Sequence, residues 1–170
     1  IVNAPWPGYV AQRNRASEAA RHDWVLAVDA DERVTPALRD EIQALRAAGF
    51  ARDGYRIPRV AHYPGRFIRA TDWYPDPQLR LFDRRRGRWE GALVHESVRV
   101  RGTVGRLRHD LEHYTYRDIS HHLQTIDRYT SLWAEQAYAE GQRAGALSAG
   151  GASAWAFIRN YVLKRGFLLG

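Results

Sequence analysis

Asp29 and Asp31 stand two residues apart in Val28-Asp29-Ala30-Asp31-Glu32, at the end of the apolar run Trp24-Val25-Leu26-Ala27-Val28. Two carboxylates thus leave a buried strand and enter a loop. A magnesium or manganese ion takes one or two protein carboxylates and fills its shell with water and substrate phosphates. Held there, the cation would neutralise a diphosphate leaving group as the bond to it breaks. The plainer alternative is that acidic residues end the strand and precede a helix, whose N-terminal dipole favours negative charge. A calcium loop between two helices does not fit. Position six counted from Asp29 is Val34 rather than glycine, and a strand comes before it.

A second carboxylate also calls for explanation. Val94, Glu96, Val98 and Val100 alternate with other residues, as in a strand, so Glu96 shares the face of three valines. A carboxylate on an apolar face needs a reason; the alternative is a glutamate turned to solvent.

The elements that position these groups are legible in outline. Residues from Tyr9 to about Arg21 form a weakly amphipathic helix, followed by the strand at Trp24–Val28. A continuous apolar run of that length suits a strand buried on both faces, as in a parallel sheet. Thr35-Pro36 predicts a helix start, Leu38, Ile42 and Leu45 share one face, and Gly49 ends the helix. From Gly54 to about Arg106 the pattern changes to short strands: Tyr55 with Ile57, and Leu79 with Leu81, alternate with polar residues. Ile119, Leu123, Ile126, Thr130, Trp133 and Ala137 then step by four and three, a long helix opened by Asp118 or Ser120. Gly145 to Ser153 reads as a small-residue linker. It leads to a last segment rich in Trp155, Phe157, Ile158, Tyr161 and Leu163. The order predicts an α/β fold, a mixed sheet flanked by helices, with a catalytic region over 1–116 and a helical extension over 117–170.

The bulk numbers narrow the classes. The 170 residues suffice for a real core. With no cysteine there is no disulfide, thiolate metal site or cysteine nucleophile. The formal net charge is +7, and Lys164 is the only lysine, so arginine supplies the excess. Such charge suits anionic partners. Arg84-Arg85-Arg86 with Arg88 could mark a nucleic-acid-binding module, but no nucleic-acid motif accompanies it, and no nucleic-acid partner is expected. Trp155, Phe157, Ile158, Tyr161 and Leu163, interleaved with Arg159, Lys164 and Arg165, suit a helix lying on an anionic membrane surface or one packed on the catalytic region.

An ordered series of motifs carries a resemblance. Trp6-Pro7-Gly8-Tyr9, Gln12-Arg13-Asn14 and Asp23 to Val34 come first. Gly54-Tyr55-Arg56-Ile57-Pro58-Arg59, Gly65-Arg66-Phe67-Ile68-Arg69 and Trp73-Tyr74-Pro75-Asp76 with Gln78-Leu79-Arg80-Leu81-Phe82 follow. Val94-His95-Glu96, His113-Tyr114-Thr115-Tyr116 and Tyr161 to Leu168 complete it. Together they resemble bacterial family 2 glycosyltransferases, in particular the lipopolysaccharide core β-1,4-glucosyltransferase group. The resemblance implies a GT-A fold, a UDP-linked nucleotide-sugar donor, and a Mn2+ or Mg2+ cofactor held by Asp29 and Asp31. It also implies inversion at the anomeric carbon, with Glu96 as general base. By the same resemblance Arg13, Asn14 and Asp29-Ala30-Asp31 line the nucleotide-sugar site, and Trp73, Tyr74, Asp76 and Arg80 face the acceptor. His95 and His113 are candidate metal ligands or diphosphate contacts, or structural histidines held by hydrogen bonds.

The acceptor so implied is a lipopolysaccharide-core or other lipid-linked envelope glycan, met at the cytoplasmic face of a bacterial inner membrane. Two departures stand out. Group members often carry Gly-Gly where this chain has Thr71-Asp72, and the family's opening strand–helix–strand unit does not precede Ile1, so the chain is expected to be a fragment. The rival enzyme is a haloacid-dehalogenase-like phosphatase with Asp29 as nucleophile. That pattern expects threonine or valine at position 33, where this chain has Arg33.

Overall fold

The computed structural model describes residues 6–91, 96–143 and 145–169. They fall into two compact units, residues 1–59 with 77–112, and residues 60–76 with 113–170. The helical region 117–170 therefore shares its unit with residues 60–76 and 113–116.

In the first unit, helix α1 spans Tyr9–Glu18, stopping short of Arg21. Strand β1 is Trp24–Leu26 and β2 is Glu32–Val34. Helix α2, Pro36–Ala48, begins as the sequence predicts. The Thr35 hydroxyl accepts the Leu38 N–H at 3.2 Å, and Gly49 ends the helix with φ 76°. That left-handed geometry is one glycine adopts without penalty. Leu38 is fully buried, with Ile42 and Leu45 packed on the same cluster.

The sheet is built on β3 (Gly54–Tyr63) and β5 (Asp76–Asp83), with β9 at Leu111–His113. Strand order is β1-β5-β3-β9-β2. A short strand β8, Val104–Arg106, runs parallel to the start of β3, which makes the sheet mixed. Strands β6 (Gly87–Glu90) and β7 (Ser97–Val100) form a separate antiparallel hairpin.

The expectation of a parallel-sheet strand at β1 is corrected. β1 pairs antiparallel with β5, Trp24 opposite Asp83 and Leu26 opposite Leu81. The apolar run is continuous because each face meets its own cluster. Trp24 and Leu26 pack with Leu38, Tyr55, Ile57, Leu81, Leu107 and Leu111, whereas Val25 and Ala27 pack with Leu79, Phe82, Trp89 and Val98. The alternation read into Leu79 and Leu81 is corrected too. Leu79 through Asp83 are all buried, polar residues included. Gly87 opens β6 where a Cβ would lie 2.6 Å from the Phe82 ring, so that second cluster leaves no room for a side chain.

In the second unit, β4 (Arg66–Ile68) pairs antiparallel with the later half of β3. Thr71 begins a short 3-10 turn, Thr71–Trp73, at φ 63°. A glycine would sit there without strain. Helix α3, Ile119–Ala139, is capped by Asp118, whose carboxylate accepts the His121 N–H at 2.7 Å. Its apolar stripe stays exposed, Ile119 at 62% and Trp133 at 60%.

The small-residue linker is corrected to a helix. α4 runs Ala146–Phe157 and continues into a π-helical turn, Ile158–Leu163. Alanine has the highest helix propensity, and its repeated use outweighs Gly150 and Gly151. The Ser148 hydroxyl adds a start signal, accepting the Gly145 N–H at 3.1 Å and donating to the Gly145 carbonyl at 2.8 Å.

Candidate functional site

Asp29 leaves β1 and opens a tight loop that closes at Glu32. The loop is held from both ends: the Glu32 N–H donates to the Asp29 carbonyl at 3.0 Å, and the Asp29 N–H donates to Glu32 Oε2 at 2.9 Å. Ala30 and Asp31 form the turn between them, both exposed.

Beneath that turn lies a network of five charges. Arg80, from β5 and 5% exposed, bonds through Nη2 to Asp29 Oδ2 and, at 2.6 Å, to Glu32 Oε1. Arg13, from α1, reaches Asp29 Oδ1 at 2.8 Å. Arg59 reaches Glu32 Oε1 at 3.3 Å. The Glu32 side chain has no exposure at all. The Trp89 ring completes the site: the Arg13 guanidinium stands 4.4 Å from its centroid and that of Arg80 5.9 Å, both in cation–π range.

Three guanidinium groups, Arg13, Arg59 and Arg80, face two carboxylates, Asp29 and Glu32. Both carboxylates of the loop are therefore held by guanidinium groups. Arg80 Nε is buried without a hydrogen-bond partner among the described residues. Burial works to raise the Asp29 carboxyl, but Arg80 and then Arg13 outweigh it and hold the group below the ordinary carboxylate range.

These contacts redistribute the candidate residues. Both Asp29 oxygens are engaged by arginines, and Asp31 lies exposed at the tip of the turn. Arg80, expected to face the acceptor, is too buried for that role and instead bridges Asp29 and Glu32. Asn14, expected in the nucleotide-sugar site, pins α1 to β6. Its amide nitrogen donates to the Trp89 carbonyl at 3.0 Å, and its amide oxygen accepts the Trp89 N–H at 2.9 Å. The sequence reading missed Glu32 and Arg59. Glu32 shares strand parity with Val34, which packs on the core, and that parity was the available signal.

Glu96 is half-buried just before β7, in a cleft of about 490 Å³ with Gly8, Tyr9, Asn14, Arg15 and Arg88. It lies outside that strand, whose Val98 is buried. His95 lies outside the described residues. Among the described residues no group of three or more histidine, cysteine or acidic side chains is assembled to hold a metal ion.

The remaining candidates belong to the second unit. His113 shares a hydrogen bond of 2.8 Å with the Thr115 hydroxyl. Trp73 is half-buried among Tyr63, Tyr116 and His122, meeting Tyr63 edge-on at 5.6 Å. Arg69 lies over the Tyr74 ring at 5.4 Å, and Asp76 is half-buried where β5 begins. Asp72 is the hub of a separate cluster. Its carboxylate pairs with Arg159 and Lys164 and accepts from the Asn160 amide at 2.9 Å. Two of the three basic residues assigned to a membrane-surface helix are thus engaged within the protein. Among the described residues no helix is long and apolar enough to cross a membrane.

No protein-family model matches the chain. Among curated proteins, it is 31% identical to the lipopolysaccharide core biosynthesis glycosyltransferase LpsC of Rhizobium meliloti, over 82% of this chain and 52% of the relative. The chain is thus similar to bacterial glycosyltransferases over part of their length. An uncharacterized glycosyltransferase of Rickettsia typhi is 24% identical over the whole chain and 62% of its own length. One from Rickettsia conorii is 22% identical, again over the whole chain. The chain spans between half and two thirds of the relatives it matches. The mixed α/β architecture is compatible with part of a GT-A-like glycosyltransferase fold.

Proposed function

We propose that this chain supplies the metal-binding loop and the general base of an inverting sugar transferase. Its donor is a UDP-linked sugar, and its acceptor a lipopolysaccharide-core or other envelope glycan. The observation that carries this reading is the loop itself: an exposed Asp31 at its tip, with the Asp29 and Glu32 carboxylates held by arginines beneath. Such a donor set fits a magnesium or manganese ion whose other ligands are phosphate and water oxygens. When bound, the cation neutralises charge on the departing diphosphate.

Each protein group has its own task. Asp29 positions the loop, because Arg13 and Arg80 hold both its oxygens. The part-exposed Arg13 guanidinium beside the loop attracts the diphosphate before and after transfer. Glu96 removes the proton from the acceptor hydroxyl in a cleft wide enough for a sugar. A phosphatase using Asp29 as nucleophile is disfavoured, since a carboxylate ion-paired through both oxygens is a poor attacking group.

The test is thermal unfolding with manganese and UDP together, for wild type and Asp31→Ala. Expected is a rise in Tm that needs both ligands and disappears in the variant. A rise of equal size in Asp31→Ala would refute the assignment.

A further inference from the structure

The β6–β7 hairpin carries a feature that folding alone does not explain. Arg88 and Arg99 are direct cross-strand partners, and both are exposed on the same face. The pairing continues one step further, where the Arg101 N–H donates to the Arg86 carbonyl at 2.9 Å. Like charges placed directly opposite each other on a sheet repel and destabilise it. Arg86 is offset by Asp53 at 3.2 Å. Among the described residues Arg88, Arg99 and Arg101 have no ion-pair partner.

These side chains, with Arg84 and Arg85, line a groove of about 530 Å³ between the hairpin and the end of α1. Arg84 Nε is buried there without a hydrogen-bond partner among the described residues. The geometry points to a binding subsite for a phosphorylated sugar, with Arg88 and Arg99 holding the phosphate. Guanidinium groups give phosphate two parallel charge-assisted hydrogen bonds, and a bound dianion turns the repulsive pair into a clamp.

Two observations favour a sugar phosphate over a nucleic acid. Glu18 and Glu90 also line the groove. They repel a continuous phosphodiester backbone yet accept hydrogen bonds from sugar hydroxyls. The groove is also continuous in its lining with the cleft of Glu96, the two sharing Asn14, Glu18 and Arg88. The subsite therefore belongs to the acceptor, a glycan whose phosphate is read beside the hydroxyl that Glu96 deprotonates. That assignment rests on the transferase reading above.

The probe is fructose 1,6-bisphosphate in EDTA, so that no divalent cation engages the Asp31 loop, with fructose as the uncharged control. Tm and calorimetric affinity are measured for wild type, Arg88→Gln/Arg99→Gln and Asp31→Ala. Expected is a Tm rise with the bisphosphate and none with fructose, retained in Asp31→Ala. The double variant starts about 1–3 °C higher without ligand, because the repulsion is gone, and binds at least about tenfold more weakly. A merely structural arginine pair would not give these opposite signs. Bisphosphate binding that survives the double substitution overturns the subsite, as does a single-stranded oligonucleotide binding through these arginines where the bisphosphate does not. Such a failure beside an intact, Asp31-dependent manganese–UDP response overturns the subsite alone. Bisphosphate binding without that response leaves the anion groove and removes its assignment to a transferase acceptor.

Discussion

Replacing Arg80 with methionine gives the most direct test of the buried network. Methionine keeps an unbranched apolar stem of similar reach but removes the charge shared by Asp29 and Glu32. Glu32, with no side-chain exposure, would be left with Arg59 at 3.3 Å, and Asp29 with Arg13 at 2.8 Å. Removing one partner from a buried ion pair costs about 3–5 kcal/mol, because the remaining charge stays out of water. For a chain of this size that is a fall in Tm of roughly 10 °C.

The pH dependence separates lost charge pairing from lost packing. The Asp29 carboxyl is held low in the folded protein, so its stabilising contribution is present above the unfolded pKa and lost as pH falls through the folded value. Without Arg80 the largest opposing charge is gone, burial dominates, and the Asp29 carboxyl shifts upward. The gap between wild type and Arg80→Met should therefore be widest near neutral pH and narrow as the Asp29 carboxylate protonates. Urea unfolding followed by tryptophan fluorescence from pH 7 downward reads the gap directly. Adding Glu32→Gln should recover part of the loss at neutral pH. A gap below about 1 kcal/mol, or one independent of pH, would refute the electrostatic account and leave only packing.

Two further outcomes follow from the same contacts. Asn14→Ala strands the N–H and carbonyl of Trp89, which should lower stability by about 1–3 kcal/mol in denaturant unfolding. Asp72 is held low first by its hydrogen bond from Lys164, then by Asn160, with Arg159 adding charge attraction. Asp72→Asn should therefore speed amide exchange at Ile158–Leu163 at neutral pH, and the difference from wild type should close as acid protonates Asp72 below its ordinary range.

The parts of the fold set by local chemistry were legible in the sequence. Thr35, Pro36 and Gly49 specify the ends of α2 through their own backbone preferences, and Asp118 caps α3 by reaching three residues ahead. The Ala146–Phe157 helix was not legible, because alanine and glycine together resemble a linker until a serine fixes the first turn. Arg80 was misassigned for a different reason. Its partner Asp29 is distant in sequence, and only the antiparallel pairing of β1 with β5 brings the two together. Glu32 lay in plain view beside the carboxylate pair, yet its burial depends on Arg80 and Arg59, which no local pattern joins to it.

The arginine excess then divides by location rather than acting as one basic surface. Arg13, Arg59 and Arg80 are tied to carboxylates inside the candidate site. Arg159 joins Lys164 at Asp72, so its charge is satisfied within the protein. Arg88, Arg99 and Arg101 differ from both sets. They are exposed, they lack ion-pair partners among the described residues, and two of them are aligned against each other across a hairpin. A sheet can relieve such a pair cheaply, since glutamine or serine at either exposed position would remove the repulsion without touching Trp89 or Val98 beneath. Electrostatic strain at a position that packing does not constrain is the form expected of a ligand site awaiting its counter-charge.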